Sequence, residues 1–468
     1  MSTIEQKSAS NSNEEKLDFK KVFPVFTIVL VDLLGLTIII PLMPLYATSF
    51  GAGAFVIGLL GAAYPIMQFI GAPLLGRLSD RYGRKPVLVV SQLGTLVGFI
   101  ILGLANTLGM LFLARIIDGI SGANIATAQA VITDNTTEKT RTQGLGLMGA
   151  AFGIGFVIGP VIAFISLALT GNDYRVPAFV AAAFSLASIL LTLIWLEESH
   201  PVDEHSQEDG RTSLSLKAMF KALTHPSVGF LLILMFGQQL AFGGFEQLLS
   251  LFTLSRLGLN ASGNAVIFVF VGVIVVAVQG GFIGPWSRKL GDRRLIRMGL
   301  ALLAIGLVFF AFTLAQPVPW YSEAALAEEL SASGDFRTHE NPTTQEISID
   351  LPKDENTGWL GLLWVLAAMV PIGVGGAVLQ PGINSLITKR VEPDEVGGML
   401  GISAAFLSAS NALAPVIGGA IFQAVGASMP FFLGGLLMGV LWLFTKRLLK
   451  PGREEAAPAG LARSAGGH

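Results

Sequence analysis

The stretch Gly76 to Lys85 reads GRLSDRYGRK and lies between two long apolar runs. It packs four cations, one carboxylate and two glycines into ten residues. A short basic hairpin between two membrane-length segments belongs on the cytoplasmic face, because lysine and arginine are held back from crossing a bilayer. Read outward from this hairpin, the chain falls into apolar runs of roughly twenty residues, the length that spans about 30 Å of hydrocarbon. Hydrophobic residues make up 52% of the 468 and charged residues 13%, about half the charged share of soluble globular chains. The composition excludes a soluble enzyme and predicts an all-α, polytopic membrane protein.

Twelve apolar segments can be counted. In the first half they run roughly over 22–46, 54–76, 87–105, 109–133, 143–169 and 176–195. In the second half they run roughly over 227–253, 263–285, 295–315, 359–387, 398–424 and 428–446. The expected organisation is a cytoplasmic tail over 1–21, a six-helix bundle over 22–195, a polar cytoplasmic linker over 196–226, a second bundle over 227–446 and a cytoplasmic tail over 447–468. The first 21 residues lack the apolar core of a signal peptide. Most of the 30 lysines and arginines fall on the hairpin side; only Arg175, Arg256, Arg337 and Lys353 fall in loops of the opposite side, and Arg115 lies within a span. That asymmetry places both termini in the cytoplasm.

The halves repeat. Gly76-Arg-Leu-Ser-Asp-Arg-Tyr-Gly is echoed by Gly284-Pro-Trp-Ser-Arg-Lys-Leu-Gly, 208 residues on. Pro160-Val-Ile is echoed by Pro415-Val-Ile, 255 residues on. The larger offset implies an insertion between the two markers, and the acidic stretch 316–357 supplies it. With little apolar content, that stretch is expected to be a flexible or weakly folded outer loop. Two parallel six-helix repeats with sites near the midplane suit an alternating-access transporter.

Ionisable groups within spans carry the chemistry, since each costs at least about 2.5–3.5 kcal/mol at the bilayer centre. Asp32 lies about ten residues into the first helix, or about 15 Å at 1.5 Å per residue. It reads as a proton carrier or as a structural partner for a hydroxyl or amide. Arg115 and Asp118 share one helix face. They form either a buried pair that holds the half together or a pair that reports on Asp32 and substrate. Glu246 follows Gly243 and Gly244, which weaken the seventh helix; it contacts substrate or proton, or is interfacial. Gln238 and Gln239 offer hydrogen bonds to a ligand or to a neighbouring helix. Gly149, Gly153 and Gly159, ending at Pro160, make the fifth helix a close-packing or bending face. In the hairpin, Gly76 and Gly83 permit close approach and a tight turn. Asp80 suits the N-terminus of the eleventh helix, and Arg81 or Arg84 suits Asp134. Such contacts form only when the inner ends meet.

Cysteine is absent and none of the five histidines falls in an apolar run, which excludes disulfides, thiol chemistry and a buried histidine relay. No GxxxxGK[ST] loop is present, so nucleotide-driven transport is not expected.

The hairpin GRLSDRYGRKPVL resembles the signature after the second helix of the major facilitator superfamily. LVDLLGLTIIIPLMP, FLARIIDGISGA and GAAFGIGFVIGPVIAF resemble the first, fourth and fifth helices of its drug:proton antiporter branch, the tetracycline-resistance efflux proteins in particular. The resemblance implies that Asp32 is the membrane acid, that Arg115 is the fourth-helix arginine, and that GAAFGIGFVIGPVIAF is the antiporter motif. It also implies efflux of amphipathic drugs, tetracycline-like ones among the candidates, driven by the proton gradient without a cofactor. The partners would be a small-molecule substrate, protons and the lipid bilayer of the inner (plasma) membrane, with no nucleic acid, and the chain would act as a monomer. The ninth helix, MGLALLAIGLVFFAF, lacks the acid that those proteins carry there. A sugar or nutrient importer, a lipid flippase and a non-transporting receptor are alternatives on the same scaffold.

Overall fold

The structure, a computed structural model, describes residues 19–122, 124–136, 141–199, 216–334, 350–392 and 396–449. Helices dominate, and no strand occurs among the described residues. The first half holds α1 (Phe19–Ile39), α2 (Met43–Thr48), α3 (Ala54–Tyr82), α4 (Arg84–Gly103), α5 (Leu108–Ser121), α6 (Asn124–Asp134), α7 (Arg141–Leu169) and α8 (Arg175–Trp195). After a short helix, α9 (Leu216–Leu223), the second half holds α10 (Gly229–Leu257), α11 (Ala261–Ala277), α12 (Ile283–Leu290) and α13 (Asp292–Ala311). It continues with α14 (Glu323–Gly334), α15 (Leu360–Thr388), α16 (Val396–Val425) and α17 (Met429–Leu448). A π-helical turn over Val278–Phe282 joins α11 to α12, at the paired glycines 280 and 281, where a helix is easily distorted.

Among the described residues, eleven helices are long and apolar enough to cross a membrane. The fourth run, expected as one helix over 109–133, is instead split into α5 and α6 at Gly122. A Cβ on Gly122 would collide with the Tyr64 hydroxyl, and the Gly122 carbonyl accepts from Gln68 Nε2 at 2.9 Å. Large aliphatic side chains stand out from the bundle, Leu169 at 80% and Ile194 at 78% exposure. An apolar surface on that scale needs lipid to cover it.

Within the first half, α1 packs on α7 and α8, and α4 on α5 and α8. Within the second, α13 packs on α15 and α17, and α10 on α16 and α17. The halves meet along α3 against α16 and α7 against α11. The face carrying the Gly83 turn is here called the hairpin face.

At the opposite, far face the halves are in close contact. A Cβ on Gly58 would press on the backbone of Pro415, and one on Gly419 on that of Ala54. Ser250 Oγ donates to the Pro41 carbonyl at 3.0 Å, and Phe55 N donates to Gln423 Oε1 at 2.9 Å. Toward the hairpin face, by contrast, Gly76, Gly398 and Gly401 have no described residue within 4 Å of a built Cβ. Among the described residues the bundle is therefore shut at the far face and parted at the hairpin face.

The insertion is folded where it is described, which corrects the expectation of a flexible or weakly folded loop. Leu326 and Leu330 of α14 and Val318 before it are buried, and α14 rests on α2. Tyr321 covers Gly258, whose φ of 65° caps α10, and its hydroxyl donates to the Pro352 carbonyl at 2.6 Å. A few apolar anchors and backbone bonds hold a segment whose composition is mostly polar.

Candidate functional site

A polar cluster lies inside the first half. Arg115 and Asp118 stand one turn apart on α5, and Arg115 Nη1 donates to Asp118 Oδ2 at 2.9 Å. Both are enclosed, with side-chain exposures of 11% and 4%. The guanidinium carbon of Arg115 lies 4.5 Å from the centre of the Tyr64 ring, a cation–π contact that is strongest where water is excluded. Tyr64 and Gln68 sit one turn apart on α3; Gln68 ties the break between α5 and α6, as above. The backbone of α4 can come this close because residue 98 is glycine, where a Cβ would lie 3.0 Å from that of Asp118. Asp32, partly buried on α1, is within electrostatic range of Asp118 and Tyr64. Asp118 pairs with the guanidinium, and Asp32 is the second carboxylate of the cluster, close enough to Asp118 to act on it electrostatically. With both ionised the three groups sum to one negative charge; one bound proton brings them to zero.

On α10, residues 239, 243, 246 and 250 fall on one helix face by the 3.6-residue period. Gln239 Nε2 donates to Asn411 Oδ1 of α16 at 2.7 Å. Ser250 reaches Pro41, and Gln247 lies where a Cβ on Gly61 would meet its Oε1 at 2.9 Å. Glu246, half-buried, therefore stands on the side of the second half that is turned to the first. Gln238 is 2% exposed on the adjoining face, and its Oε1 has no hydrogen-bond partner among the described residues. In α7, Gly153 faces Val276 of α11, while Gly155 and Gly159 admit Leu33 and Thr37 of α1. Gly149 and Pro160 share that helix.

The hairpin is built on Arg84, which is 2% exposed. Its Nη1 donates to Ser79 Oγ at 2.7 Å and to Asp80, and its Nε donates to Asp134 Oδ2 at 3.1 Å. The pair with Asp134 joins two elements of the first half and is made with the hairpin face parted, which corrects the expectation that it forms only when the inner ends meet. Arg81 lies over the ring of Tyr82. Gly83 turns with φ of 93°, and the Glu198 carboxylate accepts from the backbone N–H of Arg84 and Lys85 at 2.8 and 3.0 Å. Glu198 thereby caps α4 from the linker. The docking of Asp80 on the eleventh helix involves residues 393–395, which lie outside the described residues.

The second half copies this hub with the charges exchanged. Gly291 repeats Gly83 with φ of 77°. Ser287 Oγ donates to Asp292 Oδ1 at 2.5 Å, as Ser79 bonds Arg84. Lys389 Nζ donates to Asp292 Oδ2 at 2.6 Å, standing where Asp134 stands in the first half, and Ser385 adds a bond at 2.8 Å. The offsets are the same 208 and 255 residues that mark the sequence repeat.

Sequence reasoning did not single out Tyr64, Gln68, Glu198, Asp292, Lys389 or Asn411. The signal for Tyr64 and Gln68 is a pair of polar side chains four apart inside an apolar run. For Asp292 and Lys389 it is the repeat itself, applied to Arg84 and Asp134.

A family profile described as Major Facilitator Superfamily matches residues 25–333 and 357–465. Its break falls in the far-face insertion. Multidrug resistance protein 1 of Bacillus subtilis (strain 168) is 28% identical over 419 residues, covering 89% of this chain and 93% of the relative. Tetracycline resistance protein, class E, of Escherichia coli is 34% identical over 300 residues, covering 62% and 72%. Among solved structures, the human organic anion transporter MFSD10 superposes with a TM-score of 0.61 at 20% identity, covering 92% of this chain and 99% of that one. The nucleoside transporter NupG superposes with a TM-score of 0.67 at 13% identity, covering 91% and 100%. At these identities the structures establish the shared fold.

Proposed function

We propose, on the premise that the chain belongs to the major facilitator superfamily and is a multi-pass membrane transporter of small molecules rather than an enzyme, that it exports amphipathic organic compounds in exchange for protons. The relatives named for multidrug and tetracycline resistance support efflux of drugs in general. The observation that carries proton exchange is the cluster of Asp32, Arg115 and Asp118. A site that alternates between one negative charge and none, according to whether a proton is bound, changes the electrostatic cost of holding it away from water. Proton entry down the membrane potential adds about 2.3 kcal/mol per charge per 100 mV.

In this reading the hairpin face is cytoplasmic, as its lysines and arginines favour, and the membrane is the plasma membrane. The far-face-shut conformation is then inward-open. Substrate meets the α10 face that carries Gln239 and Glu246, and Asp32 exchanges its proton with the central space. The protein works as a monomer and needs no cofactor beyond the proton gradient.

The test is purified protein in liposomes with an imposed pH gradient, using an amphipathic fluorescent dye and tetracycline as probes. Wild type should move at least one probe against its gradient when protons flow the other way. Asp32→Asn should keep the melting temperature and lose that coupled transport; coupled transport at the wild-type rate in this variant would remove Asp32 from the mechanism.

A further inference from the structure

Glu329, on the insertion helix α14, makes no part of the transport site described above. Its carboxylate joins three elements at the far face. Asn172 Nδ2 donates to Oε2 at 3.0 Å, and the Tyr174 hydroxyl donates to Oε1 at 3.2 Å. Both belong to the loop between α7 and α8, in the first half. Asn260 Nδ2, from the residue that caps α11 in the second half, donates to Oε2 at 3.1 Å. The insertion is covalently part of the second half, so the bonds to Asn172 and Tyr174 cross between halves. Tyr174 is fully buried and packs edge-on against Tyr46 of α2 at 5.7 Å. Tyr46 in turn donates to the carbonyls of Leu102 and Ala105 at 3.2 Å. The anchor on the first-half side is therefore rigid.

We infer that Glu329 is the outer latch of the transporter: it fastens the two halves across the shut far face and must let go for that face to open. Two donors from the opposite half on one carboxylate outmatch the neutral contacts beside it, because hydrogen bonds to charged groups are about twice as strong as neutral ones. The latch sets how much time the transporter spends open to the outside. The inference rests on the alternating-access reading, since a latch needs a face that opens.

Because cysteine is absent from the chain, one introduced thiol reports cleanly. Ser250 is 1% exposed, and its bond to Pro41 spans the shut face. In S250C, an impermeant maleimide added outside reads opening as a labelling rate. Adding Glu329→Ala should raise that rate about tenfold, the factor that loss of one hydrogen bond to a charged group gives at the low end of its range. Asn260→Ala should raise it less. A second reporter, Ser185→Cys inside the first half, should stay protected in every background; if it is labelled in step, the variants have loosened the whole protein and the latch is refuted. If S250C labels at the same rate with Glu329 and with alanine, the latch is refuted and alternation stands. If S250C never labels in any background, both fall.

Discussion

Gly58→Ala adds one methyl group where α3 and α16 meet at the far face. A Cβ there would lie 3.0 Å from the Pro415 carbonyl carbon and 3.4 Å from Gly419 Cα, and closer still to the Pro415 oxygen. The obstacle is backbone, so no side chain can rotate aside. The helices must part, and α3 and α16 belong to different halves. Overpacking of this kind costs about 1–3 kcal/mol. The contact exists only while the far face is shut, so the whole cost falls on one conformation. It should move the ratio of the two conformations about 5–150-fold toward outward-open. Alanine also gains about 1 kcal/mol over glycine as a helix former. That gain is common to both conformations and to their shared folded state, so it cannot offset the shift between them and should hold the melting temperature steady. The assay is paired labelling. S250C should react faster from outside, and Gly398→Cys, which now stands clear at the hairpin face, should react more slowly from inside. Unchanged rates at both reporters in a folded Gly58→Ala protein would refute the argument that the two states differ by closure along α3 and α16.

Gly76→Ala is the counterpart at the hairpin end of the same helix, where a Cβ meets nothing now. If that end packs when the hairpin face closes, the substitution should slow S250C labelling, opposite in sign to Gly58→Ala; a rise would contradict the closure. Arg84→Leu removes one partner of a buried network and leaves Asp134 and Asp80 facing an apolar side chain. The cost should stay below that of a fully buried pair, about 3–5 kcal/mol, because Asp80 and Asp134 keep 43% and 22% side-chain exposure, and is read as a fall in melting temperature. Asp292→Asn should cost less still, because Lys389 is half exposed. Glu329 carries a pH prediction. Burial holds its carboxyl above the ordinary glutamate value, and the bonds from Asn260, Tyr174 and Asn172 offset this only in part. Tyr174 is the titratable group that faces it, while Glu323 and Glu328 share its helix and Arg175 engages Tyr46. An acid whose pKa is raised in the shut state binds its proton more tightly there than when hydrated in the open state. The shut face is therefore favoured by external acid and loses that contribution as the pH rises through the raised value. S250C labelling, referenced to the same reporter in Glu329→Gln, should speed up with external pH; a flat ratio would contradict it.

Much of the architecture was legible before any coordinate. Run length and the lysine and arginine asymmetry depend only on the cost of charge in hydrocarbon, and this cost is written residue by residue. The repeat was legible across Gly76–Gly83 and Gly284–Gly291 because both hairpins need glycine, Gly83 and Gly291, for the same turn. It was hidden one step further on, because Arg84 is repeated as Asp292 and Asp134 as Lys389. A pair with its signs exchanged can join the same two elements but counts as two mismatches. The break at Gly122 was hidden for another reason: it depends on Tyr64 from a different helix filling the space of a missing Cβ. The insertion misled through its average. Composition weighs every acid equally as a solvated charge, whereas Glu329 meets three donors and two buried leucines, Leu326 and Leu330, hold the helix that bears it.

The placement of charge also bears on how the halves can move. The ion pairs of Arg84, Arg115 and Asp292 each lie within one half. Breaking a buried pair such as Arg115–Asp118 costs about 3–5 kcal/mol, and the partly exposed pairs of Arg84 and Asp292 add less, so each half resists internal change. The far-face contacts from Ser250 to Pro41 and from Phe55 to Gln423 are neutral, each worth about 0.5–1.5 kcal/mol. Rocking of two stiff halves leaves those ion pairs intact and breaks these neutral contacts, which keeps the barrier low. Glu329 departs from this pattern as a carboxylate bonded across the halves. Its release is the larger of the far-face steps, so a change at this one side chain should alter the opening rate more than loss of either neutral bond. Measuring S250C labelling in Glu329→Ala beside Gln423→Ala would rank the two directly, and a greater effect from Gln423→Ala would overturn that ordering.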